Sequence, residues 1–363
     1  MRIFMLVPHS TARGPIPKHT SHLVRELRSL GCTVITHTWG QRGHREGLLH
    51  KLTWRPLDVL SIRRALTRDQ QFDVAVVKTA HDWRTLLRDI AAVLVIRRCC
   101  RPIVIQLHGS DPSRLVQPGG LAFKAATALL LALVDAVMVL STEEQGQWQA
   151  FRRRPPVFTV KNPYVSVSSS DGSGRTSNSA SGVRALFVGR LMREKGVFEL
   201  VEAFVDVRQR VDCELMIVGE GDEKEERKLR DRIHRLGMED HVSMPGYLSG
   251  SALSDAYRKA SIFVLPSWSE GFPTVLAEAM DAGLPVVTTR IRGAADHLVA
   301  GENALFVEPR DVKALASAIT MLVADPELRK RMASANRRRI EIFRPEVVAA
   351  EYIEVLRSVS MMR

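Results

Sequence analysis

SWSEGFPTVLAEAMDAGLPVV, residues 267–287, is the stretch whose reading decides the fold. Directly before it, residues 262–265 form a short apolar run of strand character. Gly271 and Pro273 punctuate a turn, and Pro273 suits the first turn of a helix. Residues 277–282 continue that helix; Gly283 fits the position just past its end, and Pro285 blocks further helical turns. Residues 286–289 open another strand. The unit is strand, turn, helix, strand, with Glu270 on the loop at the carboxyl end of a strand and Glu278 near the start of the following helix. Open α/β sheets bind their ligands at that end of the strands.

The same rhythm extends in both directions. Strands are expected at 3–7, 33–38, 74–77, 103–107, 136–140 and 158–160, and again at 185–188, 214–218, 242–244, 262–265, 286–289 and 304–307. Helical stretches such as 19–30 and 222–236 fill the gaps, which argues for two parallel, helix-covered sheets. Residues 166–182 are rich in Ser and Gly with almost no apolar content and read as a flexible linker or long surface loop. The expected organisation is a first domain at 1–165 joined by a terminal helix from about 346, the linker, and a second domain at 183–345. Residues 121–140 have the length of a membrane span, but Lys124 and Asp135 interrupt them; they read as a helix ending near Val134 and then a core strand.

At 363 residues, 45% hydrophobic and 25% charged, the chain is globular rather than disordered. Its four cysteines form no C-x-x-C pair, and the segment from Met1 to Pro8 reads as a first strand rather than a signal peptide. Both features point to the cytoplasm. The net charge of +12 is uneven: residues 1–165 hold 24 Lys and Arg against 11 Asp and Glu, while the remainder is nearly neutral. A basic half suits anionic lipid, nucleic acid or an acidic substrate, and a solvated basic face is the plain alternative. The basic stretches lack interleaved aromatics, so nucleic acid is not an expected partner.

Four further motifs follow strands. FVGRLMREKG, 187–196, places Arg190 and Lys195 after a strand and at a helix start. Gly219 and Gly221 form a Gly-x-Gly turn, and PGYL, 245–248, brings Tyr247 to another strand end. In the first half, IVIQLHG, 103–109, ends in His108. Together with Glu270 and Glu278, these segments closely resemble the nucleotide-sugar signature of the GT-B glycosyltransferases, in particular the large retaining family four, glycosyl transferases group 1. The resemblance implies two Rossmann-like domains with parallel sheets facing across a cleft, with the donor held mainly by the second and the acceptor by the first.

It further implies that Arg190 and Lys195 bind the donor diphosphate and that Glu270 lies beside the donor sugar. Glu278 then takes the ribose hydroxyls, and the backbone around Gly271, Phe272, Pro273 and Thr274 faces sugar and phosphates. Gly219 shapes the turn near base and phosphate, Tyr247 belongs to the base-contacting segment, and His108 faces the donor sugar. The family's glycine-rich loop after the first strand is reduced here to Gly14. Negative charge grows on the leaving diphosphate, and fixed cations with helix amides can balance it. The chain contains no Asp-x-Asp, so no metal and no other cofactor is expected. The expected donor is a UDP-sugar or GDP-sugar, and the expected acceptor a carbohydrate or lipid-linked sugar in polysaccharide or glycolipid assembly. The expected place is the cytoplasm, peripheral on the inner face of the cytoplasmic membrane through the basic first half. A soluble acceptor and a nucleotide-sugar epimerase of GT-B fold are the competing readings.

Overall fold

The computed structural model describes residues 1–9, 15–39, 59–67, 71–108, 110, 115, 120–166, 182–270 and 273–362. The chain divides into two units, Met1–Val165 with Phe343–Arg363, and Ser166–Ile342. The Ser/Gly-rich run at 167–181 lies outside the described residues.

The first unit holds six parallel strands: β1 (Arg2–Val7), β2 (Thr33–Thr38), β3 (Val74–Thr79), β4 (Ile103–Leu107), β5 (Ala136–Val139) and β6 (Val157–Thr159), in the order β2-β1-β3-β4-β5-β6. Its central strands are apolar on both faces because helices cover both. On one face Met5, Val76 and Val104 pack with Leu23 and Leu27 of helix Pro15–Ser29 and with Tyr352 and Leu356 of helix Pro345–Met361. On the other, Leu6, Val77 and Ile105 pack with Val93 of helix Trp83–Ile96, Leu130 of helix Leu121–Leu133, and Trp148 of helix Thr142–Phe151. The alternation along each strand is the period of two expected of pleated backbone.

The second unit holds β7 (Val183–Val188), β8 (Cys213–Val218), β9 (Val242–Gly246), β10 (Ile262–Leu265), β11 (Val286–Thr289) and β12 (Ala304–Val307), all parallel, in the order β12-β11-β10-β7-β8-β9. All twelve expected strands are present, five with the expected ends and seven with shifted ones. β9 continues to Gly246 through Pro245, which an edge strand tolerates. Helix Pro15–Ser29 begins four residues before the expected start, with Pro15 and Pro17 in its first turn. Pro273 stands at the N-cap of helix Thr274–Asp281, one residue ahead of the first turn. Gly283, with φ of +64°, takes the left-handed residue past that helix's end. The apolar run from residue 121 resolves into helix Leu121–Leu133 and then β5. Among the described residues no helix is long and apolar enough to cross a membrane.

Ser141 caps helix Thr142–Phe151, its hydroxyl accepting from the amide of Glu144 at 3.1 Å. Glu144 is fully buried, and its carboxylate accepts from the Ser110 amide (3.1 Å), the Ser110 hydroxyl (2.6 Å) and the Leu140 amide (3.1 Å). The Trp148 indole in turn donates to the Ser110 hydroxyl at 3.0 Å. The end of β5 and the segment after β4 are tied to one carboxylate. Replacing Glu144 by Ala leaves buried donors unmatched and is expected to destabilise the first unit by about 3 kcal/mol. Urea unfolding followed by far-ultraviolet circular dichroism reads the loss; an unchanged midpoint refutes it.

Candidate active site

In the second sheet the chain runs outward from β7 through β8 to β9, then returns beside β7 and runs the other way through β10, β11 and β12. β7 and β10 are neighbours, pairing Ala185 with Ile262 and Leu186 with Phe263. Between their carboxyl ends the strand order reverses, and there the crevice of a doubly wound sheet opens. The loops leaving those two strands carry Arg190, Lys195 and Glu270.

These loops are held backbone to backbone. The Gly189 amide donates to Val218 O (3.0 Å), Leu191 N to Glu220 O (2.9 Å), and Gly219 N to Gly246 O (2.9 Å). Gly219 has φ of +145°, and a Cβ there would run into the carbonyl oxygen of Gly189. Gly196, with φ of +69°, caps helix Val197–Arg208, and a Cβ on it would collide with the carbonyl of Pro266 just past β10. Glycine is needed at both places for conformation and for close approach. The Trp268 amide then donates to Glu194 O at 2.9 Å and ties the loop after β10 to the loop after β7.

That tie sets Lys195 against Glu270. The Lys195 amine and Glu270 Oε1 form an ion pair, with side chains 18% and 16% exposed. The Ser267 hydroxyl lies 3.3 Å from the same oxygen. The loop beneath is fixed from β11: the Thr289 hydroxyl donates to Ser267 O, and the Thr288 hydroxyl to Leu265 O at 2.8 Å. Trp268 lies under the Arg310 guanidinium, 3.9 Å from ring centroid to carbon, a cation–π contact. A pair so placed keeps a cation and a carboxylate half-shielded from water at the mouth of the crevice. An incoming anion can take over the amine while the carboxylate turns to hydroxyls.

Glu278 sits on helix Thr274–Asp281 and accepts from the buried Tyr257 hydroxyl at 2.7 Å. Tyr257 itself packs on Phe263 of β10 with ring centroids 5.9 Å apart. Pro273 and Thr274 begin the same helix. Arg190 is exposed, and Tyr247 is 67% exposed just past β9. Gly14, Gly271 and Phe272 lie outside the described residues. The residues sequence reading passed over are Ser267, Tyr257, Thr289 and Arg310. Ser267 stands three positions before Glu270 inside the quoted stretch, whereas only the fold brings Tyr257, Thr289 and Arg310 near.

His108 belongs to the first unit, directly after β4, with its amide donating to Thr79 O at 2.8 Å. Its Nε2 is buried and has no hydrogen-bond partner among the described residues. Burial, followed by the charges of Lys78 and His19, holds its pKa well below the ordinary histidine value. The imidazole is therefore neutral at physiological pH, one nitrogen a donor and the other an acceptor, a state suited to sugar hydroxyls. Among the described residues no group of three or more His, Cys, Asp and Glu is placed to hold a metal ion.

Residues 178–339 match the family described as glycosyl transferases group 1. TuaC of Bacillus subtilis, named as a glycosyltransferase of teichuronic acid biosynthesis, is 31% identical over 241 residues, 63% of this chain and 57% of TuaC's own length. Sucrose-phosphate synthase of Thermosynechococcus elongatus superposes with a TM-score of 0.76 over all of both chains at 19% identity. HepE of Anabaena, solved with UDP and glucose, gives 0.73 over 99% of this chain and 100% of its own, also at 19%. At that identity the likeness carries the fold, two parallel sheets of the GT-B class. The crevice between β7 and β10, with Arg190, Lys195, Glu270 and Glu278 around it, lies wholly inside the segment that is similar to the glycosyl transferases group 1 family.

Proposed function

We propose that the chain transfers a hexosyl group from a nucleoside diphosphate sugar to an acceptor hydroxyl. The observation that carries this reading is the Lys195–Glu270 pair at the point where the second sheet reverses. The donor diphosphate takes the amine of Lys195 together with Arg190, Glu270 is released to the sugar, and Glu278, oriented by Tyr257, receives the ribose. Thr274 and Pro273 lie at the helix start beside the phosphates, with Gly219 and Tyr247 toward the base. The neutral imidazole of His108 in the first unit takes a sugar hydroxyl.

Transfer proceeds with retention. The acceptor hydroxyl enters on the face the diphosphate leaves, and a phosphate oxygen removes its proton, so the site needs cations rather than an enzyme base. Two fixed cations carry the charge of the departing diphosphate in place of a divalent metal. The acceptor is a lipid-linked sugar of polysaccharide or glycolipid assembly, met at the inner face of the cytoplasmic membrane. Two observations support that last step: the basic excess of the first half, and apolar side chains left exposed on helices Trp83–Ile96 and Leu121–Leu133, Leu87 at 61% and Leu121 at 79%. Apolar anchors beside arginines fit an anionic surface.

Lys195→Ala and Glu270→Ala are each expected to lower kcat about 10²- to 10³-fold with an unchanged circular dichroism spectrum; near-normal turnover in both would sink the site. UDP, GDP and their sugar conjugates, screened by thermal shift, are expected to include one that raises the melting midpoint equally with and without EDTA. A shift abolished by EDTA argues instead for a metal. Flotation with vesicles containing phosphatidylglycerol is expected to carry the protein at low salt and to release it as salt rises. Equal recovery with neutral vesicles removes the anionic surface from the account.

A further inference from the structure

The first unit carries a cavity at the end of its sheet away from His108. Met1 stands directly before β1, Asp73 before β3 and Pro102 before β4, and all three line it. These strands are neighbours, so the cavity opens at their amino ends, whereas His108 leaves β4 at its carboxyl end. The cavity holds about 790 Å³, within the range of small-molecule sites. Its walls come from the connection after helix Trp83–Ile96 and from the end of helix Pro345–Met361, so every lining residue belongs to the first unit. Phe72 and Pro102 give it a buried apolar floor. Backbone bonds fix that floor: the Asp73 amide donates to Arg2 O (2.9 Å), the Ala75 amide to Pro102 O (2.9 Å) and the Cys99 amide to Ile96 O (2.8 Å).

The charge on the walls is one-sided. Arg97, Arg98, Arg101 and Arg357 face a single acid, Asp73. Arg97 has a structural task, its guanidinium donating to Leu133 O at 2.6 Å where helix Leu121–Leu133 ends. The Asp73 carboxylate accepts from the Arg2 amide at 2.7 Å and pairs with none of the four arginines among the described residues. Arg98, Arg101 and Arg357 are exposed, and among the described residues no carbonyl or carboxylate takes their guanidinium groups. Three like charges from two distant segments thus stand over one concavity, where they repel each other and serve no internal contact. Gln71, beside Phe72 in the lining, has φ of +69°, the left-handed region that side chains rarely adopt. Backbone strain of that kind gathers at ligand sites.

We propose that this cavity binds an organic phosphate, its phosphoryl oxygens held by Arg98, Arg101 and Arg357 and its less polar body resting on Phe72 and Pro102. The guanidinium is planar, always charged and weakly hydrated, and its parallel N–H groups match phosphate oxygens in pairs. Three of them suit an acceptor-only group with several oxygens better than a carboxylate, which offers two. A bare phosphate would leave most of the volume empty and the apolar floor uncovered, so the ligand carries an organic part. That part belongs to a soluble phosphate ester or to a phospholipid whose headgroup enters the cavity. None of the residues placed around the donor takes part, so the site stands or falls apart from the transferase reading.

Cys99 supplies a local readout, because it lines the cavity and is exposed while Cys32, Cys100 and Cys213 are buried. The full chain is alkylated with uncharged N-ethylmaleimide, and Cys99→Ser identifies the fast-reacting thiol. In the wild type and in Lys195→Ala, phenyl phosphate is expected to slow that alkylation saturably, about tenfold, and at lower concentration than inorganic phosphate. In the double variant Arg101→Gln, Arg357→Gln the concentration needed rises about tenfold while the melting midpoint stays the same, since both side chains are exposed and unpaired. No saturable protection in the wild type, equal protection in the double variant, equal protection by sodium chloride at matched ionic strength, or inorganic phosphate as potent as phenyl phosphate overturns the proposal. Protection lost in Lys195→Ala moves the bound phosphate to the second unit and overturns it as well. Vesicles containing phosphatidylglycerol separate the sources. Vesicle protection lost in the double variant assigns the lipid headgroup, and any other vesicle result beside protection by phenyl phosphate assigns a soluble ester. Protection with no sugar transfer by the wild type overturns only the transferase.

Discussion

The closeness of backbone to backbone at the head of β7 and β10 is the constraint on which the second unit's site depends. Gly196 lies so near the carbonyl of Pro266, and Gly219 so near that of Gly189, that no side chain fits between. That contact brings the loop carrying Lys195 within reach of the loop carrying Glu270. Both charges are long side chains on irregular segments, and without a fixed floor their meeting would cost the rotamer entropy of each. Ser267, Thr288 and Thr289 supply the floor by spending their hydroxyls on backbone carbonyls and on Glu270. The ion pair is a product of glycine geometry as much as of charge.

Much of the fold was legible because the sheets are parallel and covered on both faces. The central strands, VAVVKT, IVIQL and IFVL among them, are short apolar runs that stand out in the sequence. Ends were less legible. Helix Pro15–Ser29 starts on two prolines that the eye places in a loop, and β9 passes through Pro245 because its outer edge needs no donor. At the site, the residues on sequence motifs could be found from spacing. Tyr257 is 21 positions before the glutamate it holds, and its role appears only when helix Gly250–Lys259 and helix Thr274–Asp281 flank the same strand. Lys78 did leave a trace, a single charge inside VAVVKT, but a lysine near a strand end reads as an exposed side chain until the helices above it are in place.

The two units treat electrostatics differently. In the second, the charges at the crevice are compensated, Lys195 by Glu270, and the chain there is nearly neutral. The first carries the whole positive excess, yet it buries the amine of Lys78 with no carboxylate beside it among the described residues. Paired charges can be exchanged for a ligand's charges at little net cost in field, whereas an unpaired one favours whatever anion arrives.

The first unit closes with Phe343–Arg363, a segment separated from its other part by the entire second unit. Val348, Tyr352 and Leu356 complete the face of the sheet lined by Met5, Val76 and Val104. During synthesis from the amino end, that face therefore stays open until all of the intervening residues have been made. The second unit, contiguous in sequence, can reach its native contacts while the first still waits for its last helix. Newly made chains thus expose a broad apolar sheet face for the time needed to translate some 180 residues, roughly ten to forty seconds at ordinary bacterial-to-eukaryotic elongation rates. Truncation before Pro345 would leave a protein with an intact second unit and a first unit that never closes.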